Sequence, residues 1–259
     1  MTWTTRPRSE YGDLAAIRVG GGEAVLLLHG VGLRAEAWNA QIDALAEKFD
    51  VIAPDMPGHG ESRPFERATA LADYSDRVAA AIDRPVWVAG HSMGALIALD
   101  LAVRYPDRVR GVAALNAIFR RSDKAAAAVR ARAGSLDGVS PVDPSEPLSR
   151  WFGDVASPEA AACRTWLGSV DPAGYRTAYT VFAHDAGPSD AELLSLKRPS
   201  LFMTGAAEPN STPAMSEAMA RLAPQGRALV VEGAAHMMPM THPGRVTEAL
   251  SALFEEGAA

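Results

Sequence analysis

Ser92 lies in Gly90-His91-Ser92-Met93-Gly94, between the apolar run Val86-Trp87-Val88-Ala89 and the residues Ala95-Leu96. A serine hydroxyl becomes a useful nucleophile only when the backbone presents it and a base takes its proton. Glycines two residues to either side leave room for a tight strand-to-helix turn, which holds the serine in a strained conformation and projects Oγ above a sheet. A helix opening at this point directs its positive dipole end and the Met93 N–H to where an oxyanion would form. The chemistry this favours is attack on a carbonyl.

A second turn lies upstream, in Leu26-Leu27-Leu28-His29-Gly30-Val31-Gly32. Such a turn can offer a backbone N–H, here that of Val31, as a second oxyanion donor. An ordinary glycine turn after a strand has the same sequence, so this segment gains its meaning only beside the others.

Together, His29-Gly30-Val31-Gly32, Asp55-Met56-Pro57-Gly58-His59-Gly60-Glu61-Ser62 and Gly90-His91-Ser92-Met93-Gly94 resemble the α/β-hydrolase superfamily, and the resemblance spans the chain. It implies an α/β fold, with a mostly parallel twisted sheet flanked by helices and an inserted helical cap. It places a general base on the loop after the last strand, where Gly233-Ala234-Ala235-His236 supplies His236. His242, directly before Pro243, is the competitor. The acid is expected after the preceding strand, where Leu201 to Pro209 brings Glu208 to a position the family usually gives to aspartate. Asp185, Asp190 and Glu232 are other carboxylates that could orient His236. The Asp55 to Ser62 segment is mainly a structural loop in that family, so Asp55, His59 and Ser62 are read as structural. A serine at the elbow separates the chain from the haloalkane dehalogenase branch, which needs a carboxylate nucleophile.

The elements that must position these groups alternate between strand and helix, the signature of βα units around a parallel sheet. Leu14–Val19 and Ala24–Leu28 read as a hairpin around Gly20-Gly21-Gly22, and Val51–Pro54 as a buried strand. Glu36–Phe49 has helical periodicity, with Trp38, Ile42, Leu45 and Phe49 on one face. Helices are expected around Leu71–Ile82, Ser92–Arg104, Pro213–Leu222 and Pro243–Phe254, and strands at Val86–Ala89, Val109–Leu115, Leu201–Thr204 and Ala228–Val231. Between them the alternation lapses. The expected parse is a core of residues 1–116 and 199–259 carrying a helical cap or lid of residues 117–198.

Composition narrows the function further. With 259 residues, 48% hydrophobic and 22% charged, the chain has enough apolar material for one sizeable core. Its net charge of −6 opposes nucleic acid. The lone Cys163 rules out an intrachain disulfide and fits a reducing compartment. The polar start MTWTTRPRSE lacks the apolar core of a secretory signal, and no run suits a membrane span, so the expected location is cytoplasmic. No metal array is evident.

The expected activity is hydrolysis of a small to medium, largely apolar carboxylic ester or lactone through an acyl-enzyme, with catalytic Ser92, His236 and Glu208, oxyanion amides at Val31 and Met93, and neither cofactor nor metal. Trp38, Trp151 and Met237 are candidate pocket residues. Hydrolysis of a C–C bond in ring-cleavage products and acyl transfer to another nucleophile use the same triad. A non-catalytic small-ligand receptor on the same scaffold is the alternative of another class. The sequence is silent on oligomeric state.

Overall fold

Apolar runs without polar alternation need cover on both faces of a sheet. The computed structural model describes residues 3–66 and 70–256, so the first two residues of the polar N-terminal stretch lie outside it. Its strands are β1 (Ser9–Tyr11), β2 (Leu14–Gly20), β3 (Glu23–Leu28), β4 (Phe49–Pro54), β5 (Val86–His91), β6 (Val109–Leu115), β7 (Ser200–Gly205) and β8 (Gly226–Val231). They form one sheet in the order β1-β2-β4-β3-β5-β6-β7-β8, antiparallel at β1/β2 and β2/β4 and parallel from there on. The helices of the first half are α1 (Asn39–Leu45), α2 (Leu71–Ala81) and α3 (Met93–Arg104). Those of the second half are α4 (Asp123–Ser135), α5 (Ser145–Phe152), α6 (Pro158–Ser169), α7 (Pro172–His184), α8 (Asp190–Ser195), α9 (Pro213–Leu222), α10 (Met238–Thr241) and α11 (Pro243–Glu255).

Alternate residues of each central strand feed opposite cores. Leu26 and Leu28 of β3 join Val88 of β5 and the apolar face of α3. Val25 and Leu27 face the other way, onto Ile42 and Leu45 of α1 and Leu250, Leu253 and Phe254 of α11. Phe49, expected to end a helical stripe, begins β4 instead. It still packs with Trp38, Ile42 and Leu45, and its ring meets Phe254 edge-on at 5.8 Å.

The hairpin expected between β2 and β3 does not form. β4 lies between them, antiparallel to β2 with Ile17 opposite Ala53 and parallel to β3 with Val25 opposite Val51. Burial explains the difference. β3 is apolar on both faces and needs fully covered neighbours on both edges, whereas β2 ends in the exposed residues Arg18, Val19 and Gly20 and suits a place near the sheet edge.

Helices α4 to α8 occupy the stretch between β6 and β7. Their apolar side chains, among them Leu148, Cys163, Trp166, Leu167 and Tyr179, pack into a third cluster that also takes in Leu33, Met237 and Met240. Among the described residues no helix is long and apolar enough to cross a membrane.

One buried ion cluster ties the N-terminal segment to the loops above the sheet. Arg8 donates to Glu36 Oε1 and Oε2 at 2.9 and 2.7 Å and to Asp55 Oδ2 at 2.8 Å, with the three side chains 4%, 1% and 0% exposed. The Asp55 carboxylate also accepts the Ala35 and Glu61 amides at 2.8 and 3.0 Å. Burial alone would raise the Glu36 carboxyl, but hydrogen bonds from Arg8 and the Arg6 amide bring it down to about 2.

Removing Arg8 strands buried negative charge at Asp55. Arg8→Met is expected to lower unfolding free energy in urea by about 3–5 kcal/mol, the usual cost of breaking a buried pair from one side. A loss below about 1 kcal/mol would show that the cluster is solvated or dispensable.

Candidate active site

Backbone geometry builds the site before any side chain does. Ser92 sits between β5 and α3 at φ 57°, ψ −119°, a conformation that L residues with side chains rarely adopt. The surrounding glycines enforce it. A Cβ on Gly90 would strike the Gly94 carbonyl, one on Gly94 would strike the carbonyls of Leu28 and His29, and one on Gly30 would stand 3.0 Å from Ser92 Cβ. The Ala95 and Leu96 amides turn back to Ser92 O, which leaves Met93 N–H at the open end of the helix. Val31 N–H has no protein acceptor among the described residues, and Val31 and Ser92 line the same cavity.

The loop that carries Val31 is pinned by two histidines. His59 Nε2 accepts the Gly32 amide and His29 Nε2 accepts the Met56 amide, both at 2.9 Å. Each ring must then carry its proton on Nδ1, which faces a carbonyl, that of Pro57 for His59 and that of Gly30 for His29. Burial keeps both neutral, lowering His29 and, with the His29 ring alongside, bringing His59 down to about 3. Ser62 Oγ accepts the Ala15 amide at 2.9 Å. Asp55, His59 and Ser62 thus hold loops together.

Two further loops, both at the C-terminal ends of parallel strands, bring in the other groups. Glu208 follows β7 and His236 follows β8. The loops are laced by Ala206 N–H to Val231 O and Ala207 N–H to Ala234 O, each 2.9 Å. His236 Nδ1 donates to Glu208 Oε2 at 2.7 Å. Asn116 Nδ2 reaches the same oxygen at 3.3 Å, while Oε1 accepts the Asn210 and Ser211 amides at 2.8 and 3.4 Å. Burial would raise the Glu208 carboxyl, but the hydrogen bond and charge of His236 and the two amides bring it down to about 2. Asp185, Asp190 and Glu232 make no contact with His236 among the described residues.

Two supports of the Glu208–His236 pair escape a sequence reading. His91, inside the elbow, donates from Nε2 to the His236 carbonyl at 2.7 Å, and burial with the nearby His236 charge brings it down to about 3, so it stays neutral. Asn116, at the end of β6, adopts φ 54° to aim at Glu208. The signal for Asn116 was its place directly after a strand end, but only sheet order shows that β6 adjoins β7. His242 bonds Thr241 Oγ1 and takes no part.

Ser92 and His236 line one cavity of about 320 Å³, together with Trp151 of α5 and Tyr175, Tyr179 and Phe182 of α7. No hydrogen bond joins Ser92 Oγ to the imidazole among the described residues. Such contacts often tighten only when substrate is seated. Trp151 stacks on the His236 ring at 5.9 Å and 17°. Trp38 and Met237, expected beside it, do not line the cavity. Trp38 is 1% exposed in the core under the sheet, and Met237, also 1% exposed, packs in the third apolar cluster. Their apolar bulk serves packing.

A model of the alpha/beta hydrolase family matches residues 25–249. The chain is 40% identical over 247 residues to an (E)-2-((N-methylformamido)methylene)succinate hydrolase of Acinetobacter baylyi, covering 91% of this chain and 92% of that one. It is 30% identical over 244 residues to a pimeloyl-[acyl-carrier protein] methyl ester esterase of Neisseria meningitidis, covering 90% and 91%. Among solved structures, a thermophilic esterase from Thermogutta terrifontis superposes with a TM-score of 0.84 at 30% identity, over 94% of this chain and 93% of the other.

Because Glu208 ionises more readily folded than unfolded, its contribution to stability is present above its ordinary pKa of 4.5 and is lost as pH falls through about 2. Glu208→Gln should therefore flatten this part of the acid limb when unfolding free energy is followed from about pH 5 down to about pH 2. An unaltered limb would mean that the carboxylate is not held in its charged form.

Proposed function

The chain belongs to the alpha/beta hydrolase family, and from that premise we propose that this hydrolytic enzyme works as a serine esterase or lactonase through an acyl-enzyme on Ser92. The observation that carries the proposal is the 2.7 Å Glu208–His236 bond on the rim of the cavity that Ser92 lines. Ser92 Oγ attacks the carbonyl carbon while His236 Nε2 takes its proton. Glu208 stabilises the imidazolium, and the Val31 and Met93 amides receive the oxyanion. The tetrahedral intermediate collapses, the ester C–O bond breaks, and His236 returns its proton to the leaving alkoxide. Water, deprotonated by His236, then releases the acid and restores Ser92. Side chains and water account for every proton and electron pair.

Cavity size supports a small to medium substrate, since about 320 Å³ is at the lower end of ligand pockets, roughly 300–1,000 Å³. Helices α4 to α8 act as the cap in this reading, because α5 supplies Trp151 and α7 supplies Tyr175, Tyr179 and Phe182 to the wall. A cytoplasmic location belongs to the same reading and rests on the single cysteine. The relative at 40% identity is named for an amido-methylene compound, which favours a second reading with an amide as the scissile group. The same residues serve it, with His236 protonating a leaving nitrogen.

Ser92→Ala is expected to reduce kcat on p-nitrophenyl acetate by roughly 10⁴–10⁶-fold, since members of such a triad act as a unit. Turnover undiminished in that variant would exclude Ser92 as nucleophile. Tight ligand binding by the wild type with no turnover of any ester, lactone or amide would point to a receptor instead.

A further inference from the structure

The wall of the catalytic cavity has the opposite charge sign to the protein as a whole. The chain carries a net −6, yet the charged residues on this wall are Arg121, Arg132, Arg150 and Glu146, three cations and one anion. Glu146 is spoken for. It pairs with Arg132 Nη1 and, at 2.8 Å, with Arg150 Nη2. Arg121 is left without a carboxylate bond.

Its surroundings prepare the Arg121 guanidinium for a planar acceptor. It lies over the Phe182 ring at 4.7 Å, which fixes its plane, and Nη1 donates to the Asp185 carbonyl at 3.2 Å. The Asp185 carboxylate accepts the Gly187 amide at 2.8 Å and makes no hydrogen bond to the guanidinium among the described residues. Arg121 Nη2 is buried with no partner, and so is Arg132 Nε on the same wall, where Arg132 lies 5.4 Å from the Tyr179 ring. A buried guanidinium N–H left unmatched is costly, and a carboxylate is the planar acceptor that suits its fork.

We propose that the cavity holds a carboxylate subsite centred on Arg121, with Arg132 as its second donor, so that the preferred substrate bears a free carboxylate besides its scissile acyl group. This rests on the hydrolase reading above. Ser92 attacks one end of a short acidic acyl chain while Arg121 holds the other. The mostly apolar remainder of the wall admits the carbon chain but offers it little discrimination, so the charge sets specificity.

The test compares two p-nitrophenyl esters of nearly the same shape, the hemisuccinate, which ends in a carboxylate, and the butyrate, which ends in a methyl. The wild type should favour the hemisuccinate in kcat/KM by about tenfold or more. Arg121→Gln should lower that preference by about 10- to 100-fold, mainly through KM, as expected for losing a charge-assisted bidentate pair. Arg121→Lys, which keeps the charge and the stem over Phe182, should fall between them and guards against a folding defect in the glutamine variant. Equal handling of the two esters by the wild type, or a preference that Arg121→Gln leaves unchanged, overturns the subsite while leaving the hydrolase reading intact. If the wild type cleaves neither ester, the esterase reading fails, and calorimetric binding of succinate decides the subsite. Binding weakened in Arg121→Gln supports it, and no binding by the wild type overturns it.

Discussion

The carbonyls of Leu28 and His29 press so closely on Gly94 that any side chain there would collide with them. This contact between the end of β3 and the first turn of α3 is the constraint on which the site depends. It forces the chain to reverse within a few residues, so Ser92 must take up its strained φ of 57°. Such a conformation costs of order 1–3 kcal/mol and persists only where packing over-determines it. Here the packing is Leu96, Ile97, Leu99 and Leu101 of α3 against Leu26, Leu28 and Val88 of the sheet. The same close approach carries the His29–Gly32 turn to Ser92, so the two amides assigned to the oxyanion are set by backbone contact together with the His29 and His59 rings that pin the loop.

Two buried carboxylate systems show how charge is divided between structure and site. Asp55 and Glu36 are both paired with Arg8, and Glu36 also with Arg34, and the bonds of Arg8 hold the N-terminal segment to the loops above the sheet. Glu208 has no arginine. Two amides, Asn116 and the His236 ring hold its charge, so its field acts on the imidazole and is not cancelled by a fixed cation. The neighbouring histidines His29, His59 and His91 are kept neutral by burial and serve as hydrogen-bonding struts. His236, by contrast, lines the cavity.

Local chemistry was legible in the sequence because it is written in neighbouring residues. Glycine spacing revealed the turn at Ser92, and apolar periodicity located most strands and helices to within a residue or two. Long-range pairing was not legible. Gly20-Gly21-Gly22 suggests a hairpin until β4 is seen to lie between β2 and β3, a choice governed by which strands need cover on both faces. Asn116 meets Glu208 only because β6 adjoins β7, and Arg8 meets Asp55 across 47 positions. Trp38 and Met237 misled because an aromatic or thioether near a catalytic motif has the same appearance whether it packs or binds. The charge of the cavity wall could not be read at all, since Arg121, Arg132 and Arg150 come from different parts of the segment between β6 and β7 and converge only in the fold.

The central claim is that Ser92 is a nucleophile activated by His236 and Glu208 as one unit. Labelling with a fluorophosphonate, followed by peptide mapping in the mass spectrometer, tests it most directly, because the reagent records nucleophilicity without requiring the natural substrate. The account requires a single adduct on Ser92, formed far more slowly in His236→Ala and at an intermediate rate in Glu208→Gln. An adduct on another residue, or labelling of Ser92 at the same rate in all three proteins, would contradict it.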